Sequence, residues 1–317
     1  MTNQTCTVCS SQMAPWVKQP LDPKKNERSK FENFIRCPGC GYGAMENLPN
    51  PEEISGFYNL EAYYTHGESH IQSVDKTIAD RVLEKLAYWS DRQTIMSARD
   101  FQDRLDAGVK TLDVGCGSGA LVREFRDAGF DAFGVDPDAS AMSFRKENIF
   151  QGTAEALPSS ITDTRYDLIS IMHALEHCID PYKALENIFN SLKPGGVLWC
   201  EVPNAQCAHF EDINICSENF DAPRHIHFFG QDALNGLCEK VGFEVERNYF
   251  SGFTRHHLPE WRAWERTICE NTKKLDPTLS PPDHTFFKST TMLAKTMFAS
   301  PSKKYDCLGV IAVKPEN

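Results

Sequence analysis

Residues Thr111–Leu121 constrain the fold more than any other stretch of this chain. An apolar run, Thr111-Leu112-Asp113-Val114, meets glycines at 115, 117 and 119, and a helix-forming run starts at Ala120. Glycine at such positions lets the chain turn sharply and lets a ligand touch bare backbone. The helix that follows aims its unpaired N–H groups and the positive end of its dipole at whatever lies above the turn. This is the layout of a nucleotide-type site on a parallel sheet. The spacing is G-x-G-x-G, whereas a pyrophosphate is seated by G-x-G-x-x-G. Asp113 would repel a pyrophosphate and would suit an amino-acid ammonium group.

Strands and helices alternate from residue 109 onward, which implies parallel strands joined by crossover helices. The pattern predicts strands at Lys110–Val114, Ala132–Val135, Asn148–Phe150, Asp167–Ile171, Val197–Val202, Phe243–Tyr249 and Asp306–Val313. Helices are predicted at Ala120–Ala128, Ala139–Lys146, Tyr182–Leu192 and Gln231–Val241. Residues 251–304 read as a helical insertion before the last strand, where a lid over the strands' carboxyl ends would sit. Residues 46–108 form a connector: a proline-rich joint, an aromatic cluster at Phe57–Tyr64, and a helix bearing Ile78, Val82, Leu86 and Trp89.

The first 45 residues hold two C-x-x-C knuckles, Cys6/Cys9 and Cys37/Cys40, separated by 27 residues. That spacing matches a four-cysteine zinc ribbon, with the spacer at Gln19–Asn26 as a hairpin tip or loop. Four thiolates fill the tetrahedron and leave no position for water, so the zinc expected here is structural; redox dithiols and an iron site of the rubredoxin kind are the alternatives. The other cysteines are scattered and read as small buried apolar residues. Acidic side chains outnumber basic ones, 44 to 33, and the net charge of −11 argues against nucleic acid as a partner. No signal-like opening and no membrane-length apolar run is seen. The expectation is a cytoplasmic protein with no membrane partner and a small-molecule acceptor; the oligomeric state stays open.

The phrase Leu112-Asp113-Val114-Gly115-Cys116-Gly117-Ser118-Gly119 resembles motif I of the class I S-adenosylmethionine (SAM)-dependent methyltransferases, and the resemblance runs over about residues 109–250. It implies a Rossmann-like, seven-stranded, mostly parallel α/β sheet with an antiparallel last strand, occupying 109–317. It also implies SAM as cofactor, held at Asp113, Gly115, Cys116, Gly117 and Gly119. Asp136, followed by Pro137, ends the second strand and would accept hydrogen bonds from the ribose hydroxyls; a helix cap is the alternative role. Ala154 and Glu155 fall in the loop that holds adenine in this family, with Thr153 where an aspartate is common. His173 would lie beside the sulfonium and His177 near the acceptor.

His173-Ala174-Leu175-Glu176-His177 also fits the H-x-x-E-H of a zinc protease. However, Cys178-Ile179-Asp180-Pro181 breaks any helix after little more than a turn. Period-two alternation puts His225 and His227 on one side of the chain just past the fifth strand. With His177 they are the candidate bases, which points to an oxygen or carbon acceptor. The cysteine module ahead of such a core resembles C-methyltransferases of nucleotide-linked sugars, which carry histidines at the equivalents of His177 and His225. Where that family has Tyr and Glu, this chain has Pro223 and Arg224. The core is equally similar to O-methyltransferases of the quinone-biosynthesis type. The alternatives are an RNA base methyltransferase with a zinc ribbon and a non-catalytic cofactor-binding scaffold.

Overall fold

The computed structural model describes residues 4–58, 71–93, 95–138 and 148–316. The predicted helix at 139–146 and most of the aromatic cluster at 57–64 lie outside the described residues. At the amino end, β1 (Ala14–Lys18), β4 (Asn33–Arg36) and β5 (Gly43–Met45) form a small antiparallel sheet. Between β1 and β4, β2 (Leu21–Asp22) and β3 (Glu27–Arg28) make a separate hairpin at the expected spacer. Helix α1 (Pro51–Phe57) starts on a capping box in which Asn50 and Glu53 satisfy each other's backbone N–H groups. Helix α2 is Ile78–Ser90.

The core elements follow in the order β6 (Lys110–Val114), α3 (Ala120–Asp127), β7 (Asp131–Asp136), β8 (Ile149–Gln151), α4 (Ser159–Thr162), β9 (Tyr166–Met172) and α5 (Pro181–Ser191). Then come β10 (Leu192–Pro203), α6 (Ala208–Ile213), β11 (His227–Phe228), α7 (Gln231–Val241) and β12 (Glu244–Ser251). The insertion supplies α8 (Pro259–Leu275), α9 (Phe286–Thr296) and α10 (Pro301–Lys304) before β13 (Cys307–Val313). The main sheet has seven strands in the order β12-β13-β10-β9-β6-β7-β8. Strands β8, β7, β6, β9 and β10 are parallel, whereas β13 runs antiparallel to both β10 and β12. The order reverses between β6 and β9, which opens a crevice at their carboxyl ends.

Alternation along the strands sorts the core into two layers. Leu198 and Cys200 of β10 face α5 and α7, whereas Val197 and Trp199 face α3 and Phe101. Each fully buried Leu, Ile or Phe, such as Phe125 or Leu185, contributes about 1.5–3 kcal/mol. A third cluster, rich in aromatics, joins the amino-terminal sheet to the core: Trp16 and Phe34 pack on Phe210, Phe220 and Phe228. Strand β11 also pairs with β5, so the loop after the fifth core strand completes the amino-terminal sheet. Among the described residues, no helix is long and apolar enough to cross a membrane.

Candidate active site

The glycine turn closes β6 as its sequence requires. Gly115, Gly117 and Gly119 all have positive φ, a region that carries a penalty for residues with a Cβ. At Gly115 there is also no room: a Cβ would lie 2.6 Å from that of Ala174. The same contact presses the segment after β9 against the turn. The N–H of Gly117 donates to Asp136 Oδ2 at 2.7 Å, and that of Asp138 to Oδ1 at 2.9 Å. A carboxylate at this position is an acceptor of the kind that binds ribose hydroxyls. Pro137 follows directly, and Cys116 lies under the turn, buried.

Asp113 is buried, and Ser170 Oγ on the neighbouring strand donates to its Oδ1 at 2.7 Å. Burial pushes its pKa up to about 7; the Ser170 hydrogen bond opposes this and the Asp136 charge adds to it. No ion pair to Asp113 is formed among the described residues, so a buried carboxyl near the carboxyl end of β6 has no counter-charge there. These features fit the ammonium and ribose of the implied SAM ligand. On the other flank, Thr153 bridges to Ala156 and turns the chain through Ala154 and Glu155. Asn187 donates to both carbonyls of that pair, and Glu155 Oε1 accepts the N–H of Ile179 at 2.8 Å.

A cleft of about 470 Å³ opens beside the turn, lined by Met96, Leu121, Met172, His173, Glu201 and Arg255 among others. His173 follows β9 with φ +50° and lies 3.1 Å from Glu201 Oε1, 3.6 Å from Glu176 Oε1 and 3.8 Å from Cys307 Sγ. Burial works against a charged imidazole there, but Cys307, Glu176 and Glu201 hold its pKa above the ordinary value. Residues Leu175–His177 form only a 3-10 turn, so the H-x-x-E-H phrase does not lie on a helix and its two histidines do not share a helical face.

His177 and His225 come together with ring centroids 4.7 Å apart. His177 Nδ1 lies 3.0 Å from the carbonyl of Arg224 and 2.8 Å from the hydroxyl of Tyr58. His225 Nδ1 lies 2.8 Å from the carbonyl of Asn219. A carbonyl only accepts, so each imidazole carries its proton on Nδ1 and keeps a lone pair on Nε2. Both Nε2 atoms stand 3.9 Å from Glu176 Oε1. The Glu176 carboxylate is 1 % exposed and receives no hydrogen bond from the described residues. Burial lowers the pKa of His177 to about 4, with the neighbouring His225 adding to the effect. One carboxylate and two imidazoles with ligand atoms within 4.8 Å also make a donor set that suits a divalent cation.

His227 goes elsewhere. Its Nδ1 meets the Tyr42 hydroxyl at 2.6 Å, its Nε2 faces the carbonyl of Ile179 at 3.3 Å, and its ring stacks on Tyr42. The alternation expected to unite His225 and His227 fails because β11 contains only His227 and Phe228. Another buried set, His209, His284 and Glu265, is a hydrogen-bonded hub in which Glu265 also accepts from Trp261 and the N–H of Glu218. Sequence reasoning passed over Tyr58, Asn219 and Asp22. Each acts through a partner more than a hundred residues away or through a backbone carbonyl, and neither leaves a spacing to read.

Cys6, Cys9, Cys37 and Cys40 bring their sulfurs within 4.8 Å of one another, with Cys6–Cys40 at 3.6 Å and Cys9–Cys37 at 3.4 Å. Sulfurs at the corners of a tetrahedron around zinc, each about 2.3 Å from the ion, lie about 3.8 Å apart, so the set fits zinc.

A family model described as a methyltransferase domain matches residues 79–248, more than half of the chain. The ubiquinone biosynthesis O-methyltransferase of Ruegeria pomeroyi is 27 % identical over 248 residues, covering 72 % of this chain and 96 % of its own. That of Cereibacter sphaeroides is 26 % identical over 213 residues, covering 62 % and 83 %. A solved SAM-dependent methyltransferase from Archaeoglobus fulgidus aligns with a TM-score of 0.46 at 20 % identity, over 80 % of this chain and 100 % of its own. With the glycine turn, the strand order and the matched domain all in place, this chain belongs to the class I SAM-dependent methyltransferases.

Proposed function

We propose that the enzyme moves a methyl group onto an oxygen of a small-molecule acceptor, with His225 or His177 taking the acceptor's proton. What supports this is the convergence of Glu176, His177 and His225 just after Ala174, the residue that packs on Gly115 of the glycine turn. The names of the relatives, which are O-methyltransferases, favour oxygen over carbon.

SAM, when bound, supplies an electrophilic methyl group on a sulfonium. Asp113 would pair with its ammonium, Asp136 would hold its ribose, and Ala154 and Glu155 would flank its adenine. The chain's remaining work is alignment and proton transfer. The acceptor hydroxyl would give its proton to Nε2 of the base, freeing its oxygen lone pair for the methyl group that bound SAM would supply. A neutral imidazole with Nδ1–H fixed on a carbonyl is ready to accept that proton. The Glu176 carboxylate then stabilises the imidazolium. His227, bound at both nitrogens, holds the loop in place. We also propose that Cys6, Cys9, Cys37 and Cys40 hold structural zinc in a module of residues 1–45, that 46–108 form a connector, and that 109–317 are the catalytic core with its insertion at 251–304.

The test is incubation with methyl-labelled SAM and a metabolite extract, followed by mass identification of the product. The expected label sits on an oxygen of a small molecule. Label only in RNA, or none in any acceptor pool, contradicts the reading.

A further inference from the structure

The loop that carries His225 contains a guanidinium that sequence alone would leave at the surface. Arg224 is 1 % exposed. Its Nη2 and Nη1 donate to Asp22 Oδ1 and Oδ2 at 2.7 and 3.1 Å, a bidentate pair, and its Nε donates to Asp221 Oδ1 at 2.9 Å. Asp22 belongs to the β2–β3 hairpin of the cysteine module, about two hundred residues away in the chain. Two residues on, Lys24 of the same hairpin reaches Asp221 at 2.6 Å and Glu218 at 3.2 Å. The hairpin therefore presents one anion and one cation to a loop that answers with the opposite charges.

The loop gripped this way is the one that places both candidate bases. The Arg224 carbonyl holds Nδ1 of His177. Asp221, itself held at φ +29°, accepts the backbone N–H of both Arg224 and His225. The Asn219 carbonyl, two residues before Asp221, holds Nδ1 of His225. A buried bidentate carboxylate–guanidinium pair fixes both partners in one geometry. Losing Asp22 leaves the buried Arg224 with half of its carboxylate partners, Asp221 alone.

We propose that Asp22 is a positioning residue for methyl transfer: through Arg224 it fixes the tautomer and placement of His177 and His225, so the cysteine module completes the acceptor site. The inference rests on the reading of these imidazoles as bases. It assigns the amino-terminal module a part in the chemistry that metal-dependent folding alone would not require. Lys24 grips the same loop through Asp221 and Glu218, and loss of Asp22 removes the bidentate partner of Arg224 and leaves it with Asp221 as its one carboxylate.

Asp22→Asn keeps the volume, removes the charge and sets an amide donor against a guanidinium donor. Its readout independent of any acceptor is ¹⁵N NMR of the histidine rings in the full-length, zinc-loaded protein. The expected result is that His177 and His225 lose the pure Nδ1–H tautomer while the His284 signal stays where it is. SAM affinity by calorimetry and zinc content keep their wild-type values. Methyl incorporation from labelled SAM into the metabolite extract falls by about a hundredfold, the scale of an ångström-sized misplacement. Asp22→Glu, which keeps the carboxylate, restores part of it. If Asp22→Asn does not fold, Arg224→Lys, which keeps the charge and loses the bidentate fork, takes its place with the same expected outcome. Unchanged ring signals and unchanged incorporation in the folded variant overturn the proposal. So does a loss of incorporation matched by an equal loss of SAM affinity. The two readings separate cleanly. If His177→Gln and His225→Gln keep full turnover while Asp22→Asn shifts the rings, the bases fall and the positioning stands; if those variants are inactive while Asp22→Asn changes nothing, the positioning falls alone.

Discussion

Ser170 Oγ donates to Asp113 Oδ1 at 2.7 Å across the two parallel strands that flank the switch point. That single neutral hydrogen bond is the only one it receives from a side chain among the described residues, and burial keeps its pKa near 7. A carboxyl whose pKa is raised by folding contributes stability that is full below its unfolded value and is lost as pH rises through about 7. Ligand binding has the opposite sign, because an ammonium group selects the ionised form. SAM affinity therefore rises as pH increases to about 7, changes about tenfold per unit below that, and levels off above it. Calorimetry from pH 5.5 to 8.5 checks this, the pH values being chosen to span about 1.5 units on each side of that pKa. Asp113→Asn should weaken binding and flatten the profile; an equally steep profile in that variant removes the assignment.

Asp136 takes the N–H groups of Gly117 and Asp138 at the end of β7, where a carboxylate would accept ribose hydroxyls. Asp136→Ala is expected to weaken SAM binding by about 1.5–3 kcal/mol, the worth of hydrogen bonds to a charged group. Zinc content should stay intact. Unchanged affinity by calorimetry returns Asp136 to the role of a loop cap.

Gly115→Ala places a methyl group 2.6 Å from Ala174 Cβ at a φ of +79°. Backbone strain of this kind costs about 1–3 kcal/mol before the clash is counted. Urea unfolding should show that loss, and SAM binding should fall with it because the turn and the segment after β9 must separate. A variant of wild-type stability and affinity would show that the two segments are not in contact.

Cys37→Ser, or a strong chelator, is expected to remove about one zinc per chain, as metal analysis would show. Because β5 pairs with β11, the damage should reach the histidine loop and cut turnover more than SAM affinity. Zinc loss with full turnover would uncouple the module from the site.

The legible parts of the sequence were those where local chemistry and fold agree. The glycine turn, the two cysteine knuckles and Gln231–Val241 stand where pattern reading put them, since each depends on residues within a few positions. β10 begins at Leu192 instead of Val197, because Leu192 already pairs with Tyr166 of β9 and Gly195 and Gly196 hydrogen-bond Lys314, although the register to β9 shifts across the turn. The surroundings of His227 are not legible, for a different reason. Its environment is set by Tyr42, 185 residues earlier, and no periodicity records that. The grip of Asp22 on Arg224 is hidden in the same way, as both look like ordinary surface charges until the module docks.

The most direct test of the account is methyl transfer by His225→Gln alongside wild type, with SAM affinity measured on the same preparations. Loss of a positioned base should cut turnover by about 10²–10⁴-fold while SAM affinity holds. Where His177 is the base, its pKa of about 4 puts the acid limb of kcat, read at saturating SAM, below the ordinary histidine range. Full turnover in His225→Gln, and again in His177→Gln, would contradict the proposal that these imidazoles take the acceptor's proton.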